Sequence, residues 1–310
     1  MSIPRDNAKP PAPDWRASFH GGHSGLYCDH AEGAPEAFLE AARAQGLHTF
    51  GFTEHAPRTE ARFLYAEERA LGWDVDHLLR LFADYAVHIA RLAERWAGEM
   101  TVLKGFESEV APAADYPAIT QRLREEHGFD YIVGSVHHVD EVIIDYTADL
   151  FAEAVRRCGG LEATAIRYYA TLAEMVRALR PEIVGHFDLI RRNAPDEAAV
   201  ATPAVRAAAL GALDAVAEAG SALDVNTSGY RKGFGRPYPA PWVVDEAAAR
   251  GIGFILGDDS HRPGEVGSHL DDARDYLREQ GVDTVVLLVM EQGALTRRTA
   301  SLAPPEPDGE

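Results

Sequence analysis

The feature that most constrains this chain is its alternation: apolar, β-rich runs take turns with amphipathic, alanine-rich segments along almost its whole length. That rhythm predicts βα units, and it argues against an all-α or an all-β protein. Predicted strands cover a short first segment near Ala17 to Phe19, then Thr49 to Thr53, Met100 to Phe106, Tyr131 to Val136, Ile183 to Gly185, Ala222 to Val225, Gly253 to Leu256 and Thr284 to Val289. Helical patterns lie between them over Pro35 to Ala44, Val75 to Trp96, Tyr116 to Glu126, Leu150 to Leu179, Pro203 to Ala219, Pro241 to Arg250 and Val266 to Gln280. Gly46, Gly128, Gly220, Gly251 and Gly281 each follow a helical pattern and precede a strand, where a left-handed cap is wanted.

A chain of 310 residues suits one large barrel of alternating strands and helices. The predicted organisation is a single domain over 15–300, with a flexible, proline-containing segment over 1–14 and a flexible acidic tail over 301–310. An apolar fraction of 46% is enough for a sizeable core. The first residues lack the apolar stretch of a secretory signal, and no apolar run reaches the roughly 18 residues a membrane helix needs. Two cysteines, Cys28 and Cys158, fit a reducing compartment, so the expected location is the cytoplasm. A net charge of -19 opposes binding to nucleic acid, whose affinity rests on Lys and Arg. A small phosphorylated substrate needs only a few local cations and stays in play.

Almost every predicted strand is followed by a His, Asp or Glu: His20 and His23, Glu54 and His55, Glu107 and Glu109, His137 and His138, His186 and Asp188, then Asp258, Asp259 and His261. In βα barrels the C-terminal strand ends converge in one mouth. Imidazoles and carboxylates gathered there are the ligand set for Zn²⁺, Mn²⁺ or Fe²⁺. Hydrogen bonding or capping explains any one of these residues, but capping is met as well by Ser or Asn, so the recurrence points to metal. A carboxylate among imidazoles can bridge two ions, and Glu107 is the bridging candidate. His48, His77, His88, His127 and His269 fall within or beside helical patterns and read as structural.

The segments HGGHSGLYCDHAEG (from His20), FTEHAP (from Phe52), GFESE (from Gly105), GSVHH (from Gly134), GHFDLIRR (from Gly185), DVNTSGYRK (from Asp224) and LGDDSHRP (from Leu256) occur in that order. As an ordered set they resemble the polymerase and histidinol phosphatase (PHP) family, and within it the histidinol-phosphate phosphatases. The resemblance implies a distorted TIM-like barrel of seven βα units with a trinuclear divalent-metal site. It assigns ligand roles to His20, His23, His30, His55, Glu107, His137, His186, Asp259 and His261. Asp259 is preferred to Asp258 because its spacing to His261 matches the family's Asp-X-His. The family usually opens His-X-His, whereas two glycines separate His20 from His23 here. Residues three apart on a regular strand face opposite ways, so both rings reach one site only through a bulge or turn.

The activity implied is hydrolysis of histidinol phosphate in histidine biosynthesis, by a metal-bound hydroxide and without a covalent phosphoenzyme. The alternative is another phosphoesterase of the same family, acting on nucleotides or other small monoesters. Glu107, Asp259 and His261 are the expected catalytic residues, with the proton donor open between Asp259 and a neighbouring imidazole. Arg192, Arg231 and Arg262 lie beside the metal motifs, where a guanidinium can hold phosphate bidentately. Glu54, Glu109 and Asp188 are candidates for recognising the substrate's cationic end.

Overall fold

The computed structural model describes residues 14–303. In chain order the elements are β1 Ala17–Ser18, α1 Pro35–Ala44, β2 Thr49–His55, α2 Ala66–Ala70, α3 Val75–Trp96, β3 Thr101–Ser108, α4 Tyr116–His127, β4 Tyr131–Gly134, β5 His138–Val139 and β6 Val142–Ile143. They continue as α5 Ala148–Cys158, α6 Leu161–Leu179, β7 Ile183–Val184, α7 Pro203–Ala219, β8 Ala222–Asn226, α8 Ser228–Arg231, α9 Pro241–Ala249, β9 Phe254–Gly257, α10 Leu270–Glu279, β10 Thr284–Glu291 and β11 Ala294–Ser301.

One seven-stranded sheet in the order β1-β2-β3-β4-β7-β8-β9 forms the core of the fold, with every pair parallel. Its edges nearly meet: the Phe19 N–H donates to the Leu256 carbonyl at 2.9 Å, and the Asp258 N–H donates to Ser18 Oγ at 3.1 Å. The sheet therefore curls into an almost closed barrel, as the alternation predicts. Its strands are buried on both faces and read as apolar runs, because helices cover the outside. Helix α3 shows the fit of pattern to packing. Leu78, Phe82, Tyr85, Ile89, Leu92 and Trp96 recur at helical spacing and bury one stripe, while the Asp74 side chain caps its start by accepting from the His77 N–H at 2.7 Å.

Three expectations change. The single helix expected over Leu150 to Leu179 is two, because Gly159 and Gly160 adopt φ of 84° and 136°, which end α5 and turn the chain. The helix expected from Val266 begins at Leu270, after a turn of 3-10 helix at Pro263–Glu265. The segment from Thr284 leaves the barrel and pairs antiparallel with β11, joined by a tight turn at Gln292 and Gly293, both at positive φ. Among the predicted flexible ends, residues 1–13 and 304–310 lie outside the described residues. Ser301 closes β11, and the buried Leu302 donates its N–H to the Asp283 carbonyl at 2.9 Å.

Candidate metal centre

Because the strands are parallel, their C-terminal ends open on one face, and the residues anticipated there meet. Glu107, near the end of β3, is the hub. Its Oε1 lies 3.0 Å from His186 Nε2, 3.3 Å from His20 Nε2 and 3.4 Å from His137 Nε2, and its Oε2 lies 2.9 Å from His55 Nδ1. His55 is also its register partner across β2 and β3. Burial alone would raise the Glu107 pKa, but the charges of His137 and His20 reverse this and hold the carboxyl well below its usual range. The carboxyl is therefore ionised.

The double glycine solves the opening geometry. Gly21 and Gly22 take φ of 152° and 75°, and a Cβ at Gly21 would stand 2.3 Å from Asp258 Oδ1. The chain turns between the two histidines instead of running straight, so both rings point inward with centroids 6.2 Å apart. His23 then lies against both His55 and His261, at 4.2 Å and 4.3 Å, with those two rings 5.7 Å apart. His30 sits at the outer edge of this stack, 5.4 Å from His55 and 5.2 Å from His261. Asp259 Oδ1 lies 3.6 Å from His23 and 3.7 Å from His261. Asp259 is held in the left-handed region at φ 49°, a conformation Asp tolerates better than most residues. Asp258 points away and is spent on the backbone N–H groups of Gly267 and Ser260.

The other carboxylates stand behind the rings. Glu54 faces His23 at 3.5 Å and accepts the backbone N–H groups of Ser24 and His55. Glu109 lies 3.0 Å from His137 and 3.1 Å from His138. Asp188 is buried against Arg191 at 2.7 Å and accepts the Ala240 N–H. All three are thus engaged away from the mouth. His48, His77, His88, His127 and His269 stay outside the cluster; His88, for example, binds Tyr27 and Glu36.

Sequence reasoning missed Asp224, which accepts from or pairs with His20 Nδ1 at 2.7 Å, and Asn226, which donates to Asp224 Oδ2 at 2.8 Å. A fully buried Asp inside the apolar strand Ala222–Asn226 was the available signal. Asp224 fixes the tautomer that leaves His20 Nε2 facing Glu107, the usual arrangement behind a metal-binding imidazole. Burial opposes charge on His20, yet Asp224 and Glu107 outweigh it and raise its pKa well above the ordinary value. On the other side, burial and the neighbouring His23 lower His55 to about 4 and push His261 well below its ordinary value. Those rings are neutral, the form that offers a lone pair.

Several buried ring nitrogens find no hydrogen-bond partner among the described residues: His20 Nε2, both nitrogens of His23, His55 Nε2 and His186 Nδ1. Each unbonded buried group costs about 1–3 kcal/mol, which makes this cluster unreasonable as mere packing. Donor atoms within 4.8 Å of one another occur in the sets His20, Glu107, His186; His20, His23, Asp259; and His23, His55, His261. A divalent cation satisfies such sets, so the residues fit a metal. Above them opens a cleft of about 420 Å³. Its walls include the stacked rings of Tyr65 and Tyr146, 5.2 Å apart, and the charged residues Asp145, Arg192, Lys232 and Glu265. Tyr65, Asp145 and Tyr146 come from connections with no helix or long strand, where the sequence carried no periodic signal.

A parallel barrel with this histidine and carboxylate cluster at its mouth defines the class of metal-assisted barrel hydrolases. The PHP domain matches residues 21–228, and the chain belongs to that family. It is 31% identical over 271 residues to a Schizosaccharomyces pombe protein named "Probable histidinol-phosphatase", covering 86% of this chain and 87% of that one. A Deinococcus radiodurans protein with the same name is 34% identical over 263 residues, covering 83% of this chain and 92% of its own. The crystal structure of Lactococcus lactis histidinol phosphate phosphatase, complexed with zinc, L-histidinol and phosphate, shares the fold at TM-score 0.67 and 19% identity, over 91% of this chain and 99% of that one.

Proposed function

We propose that this protein hydrolyses L-histidinol phosphate to L-histidinol and inorganic phosphate. The observation that carries the reading is Glu107, ionised and ringed by His20, His55, His137 and His186 directly beneath a cleft lined by both cations and carboxylates. Similarity to relatives named histidinol-phosphatase supports the substrate.

The ions in this reading are three divalent cations, zinc, manganese or iron, held among His20, His23, His30, His55, Glu107, His137, His186, Asp259 and His261. Bound there, such ions polarise phosphoryl oxygens and lower the pKa of water toward neutrality. The chain does the rest. Asp224 and Glu109 orient His20 and His137 from behind. Arg192, Arg231 and Arg262 supply a positive field for the phosphate, and Asp259 with His261, both lining the cleft, is assigned proton transfer to the departing alkoxide. Asp145 and Glu265, each paired with an arginine, are the mouth carboxylates assigned to the substrate's amino group and imidazole. The same reading assigns the enzyme to the cytoplasm, where its free Cys28 and Cys158 stay reduced.

The test is phosphate release by the metal-loaded protein across a panel of histidinol phosphate, mononucleotides and simple monoesters. A clear preference for histidinol phosphate is expected. Equal rates across the panel would overturn the substrate while leaving a phosphatase, and a preference for nucleotides would select the alternative activity.

A further inference from the structure

The cleft's cations are not equivalent, because most are already committed. Arg231 donates from Nη2 to the carbonyls of Asp258 and Asp259, both at 2.8 Å, and from Nη1 to Ser268 Oγ at 3.2 Å. It braces the loop that carries Asp259 and His261. Arg192 pairs with Asp145 at 3.3 Å. Arg262 pairs with Glu265 at 3.1 Å and with Glu32 at 3.5 Å. At each of them an arriving phosphate meets a guanidinium already paired with a carboxylate or carbonyl, although Arg192 keeps its Nε and Nη2 donors.

Lys232 is different. It lines the same cleft, and its ammonium has no hydrogen bond or ion pair among the described residues. Its backbone is nonetheless anchored: the Lys232 N–H donates to the Ser228 carbonyl at 2.9 Å, the Ser228 N–H to Asn226 Oδ1 at 2.9 Å, and the Thr227 N–H to the Gly257 carbonyl at 2.9 Å. The root of the side chain is thus tied to the ends of β8 and β9, beside the metal cluster, while its tip is free. The side chain is exposed at the cleft, where partial desolvation and the neighbouring Arg192 lower its pKa and Asp259 opposes them.

We propose that Lys232 is the side chain that takes the substrate's phosphoryl group directly, while Arg231 acts as a positioning residue for the Asp259 loop. The inference rests on the phosphatase reading and adds a residue to it. A lysine suits the task, since a compact ammonium with three donors on a flexible stem can follow the phosphate from ester to free ion.

The experiment compares metal-loaded wild type with Lys232→Met and Lys232→Arg, reading KM for histidinol phosphate, inhibition by inorganic phosphate, inhibition by L-histidinol, and metal content. Lys232→Met should raise KM and the phosphate inhibition constant together, by about tenfold to a hundredfold, the worth of a hydrogen bond to a charged group. Lys232→Arg should recover most of both, and L-histidinol inhibition and metal content should not move. Unchanged phosphate inhibition in Lys232→Met overturns the proposal, as does an equal weakening of L-histidinol and phosphate. A second readout separates this from the substrate assignment. If wild type fails to hydrolyse histidinol phosphate but inorganic phosphate still raises its melting temperature, loss of that rise in Lys232→Met supports the role of Lys232, and its persistence refutes it.

Discussion

At the scale of single residues, the cluster works through a hub and its braces, and the two should respond differently to mutation. Glu107→Gln keeps the shape but removes the charge that the rings of His20, His55, His137 and His186 share. Losing several kcal/mol of charge stabilisation corresponds to a fall of at least about a thousandfold in kcat, and metal analysis should find substoichiometric ions. Asp224→Asn acts behind His20, where Asp224 also accepts from Asn226 and from the His186 N–H. Metal affinity or activity should drop by about 10–100-fold, the range seen when partners behind a metal ligand are lost. A titration with zinc in a competing chelator checks this, and wild-type affinity would show that Asn226 alone can orient the ring. Glu107 was readable from its strand end. Asp224 was not, because its role depends on a ring 204 residues away.

At the scale of elements, glycines divide into those that end a helix and those that make room at the site. Gly159 has φ of 84° with nothing near its absent Cβ, whereas Gly22 has φ of 75° and a Cβ there would stand 2.5 Å from Phe52. Gly159→Ala should cost about 1 kcal/mol, the ordinary left-handed penalty. Gly22→Ala should cost at least about 2–3 kcal/mol, since backbone strain and a clash with a buried ring add. Denaturant midpoints rank the pair, and equal losses would remove the case for a close-packed turn. Elements with strong local signals, such as α1, α3 and α7, match the patterns read from sequence to the residue. The β5 and β6 pair at residues 138–143 is too short to show a period, and the fate of Thr284–Glu291 is decided by pairing with a neighbour that lacked an apolar pattern.

At the scale of the molecule, stability and site are linked. The unbonded nitrogens of His20, His23, His55 and His186 are a cost of folding that a bound cation removes. Dialysis against a chelator should therefore lower the melting temperature, and divalent metal should restore it. At a free metal concentration one hundred times Kd the gain is about 2.7 kcal/mol. Calorimetry of stripped and reloaded protein measures it, and identical melting curves would argue that the cluster holds no metal under those conditions. The net charge of -19 is a property of the whole surface, whereas the cleft gathers four cations, Arg192, Arg231, Lys232 and Arg262, beside its carboxylates. A small anion can use that local field even though a long polyanion meets general repulsion.

Alone, the sequence determined the alternation of strands and helices, the order of the motifs and the chemical types delivered to the strand ends. All of these are written within short windows, where period, caps and turn residues act locally. Tertiary structure decided the rest: that Gly21 and Gly22 turn His20 and His23 into one site, that Asp224 serves His20, that Arg231 is spent on a loop, and that Lys232 is left free. Those outcomes depend on closing the sheet from Phe19 to Leu256, which brings distant side chains within hydrogen-bond range. No local window contains that information.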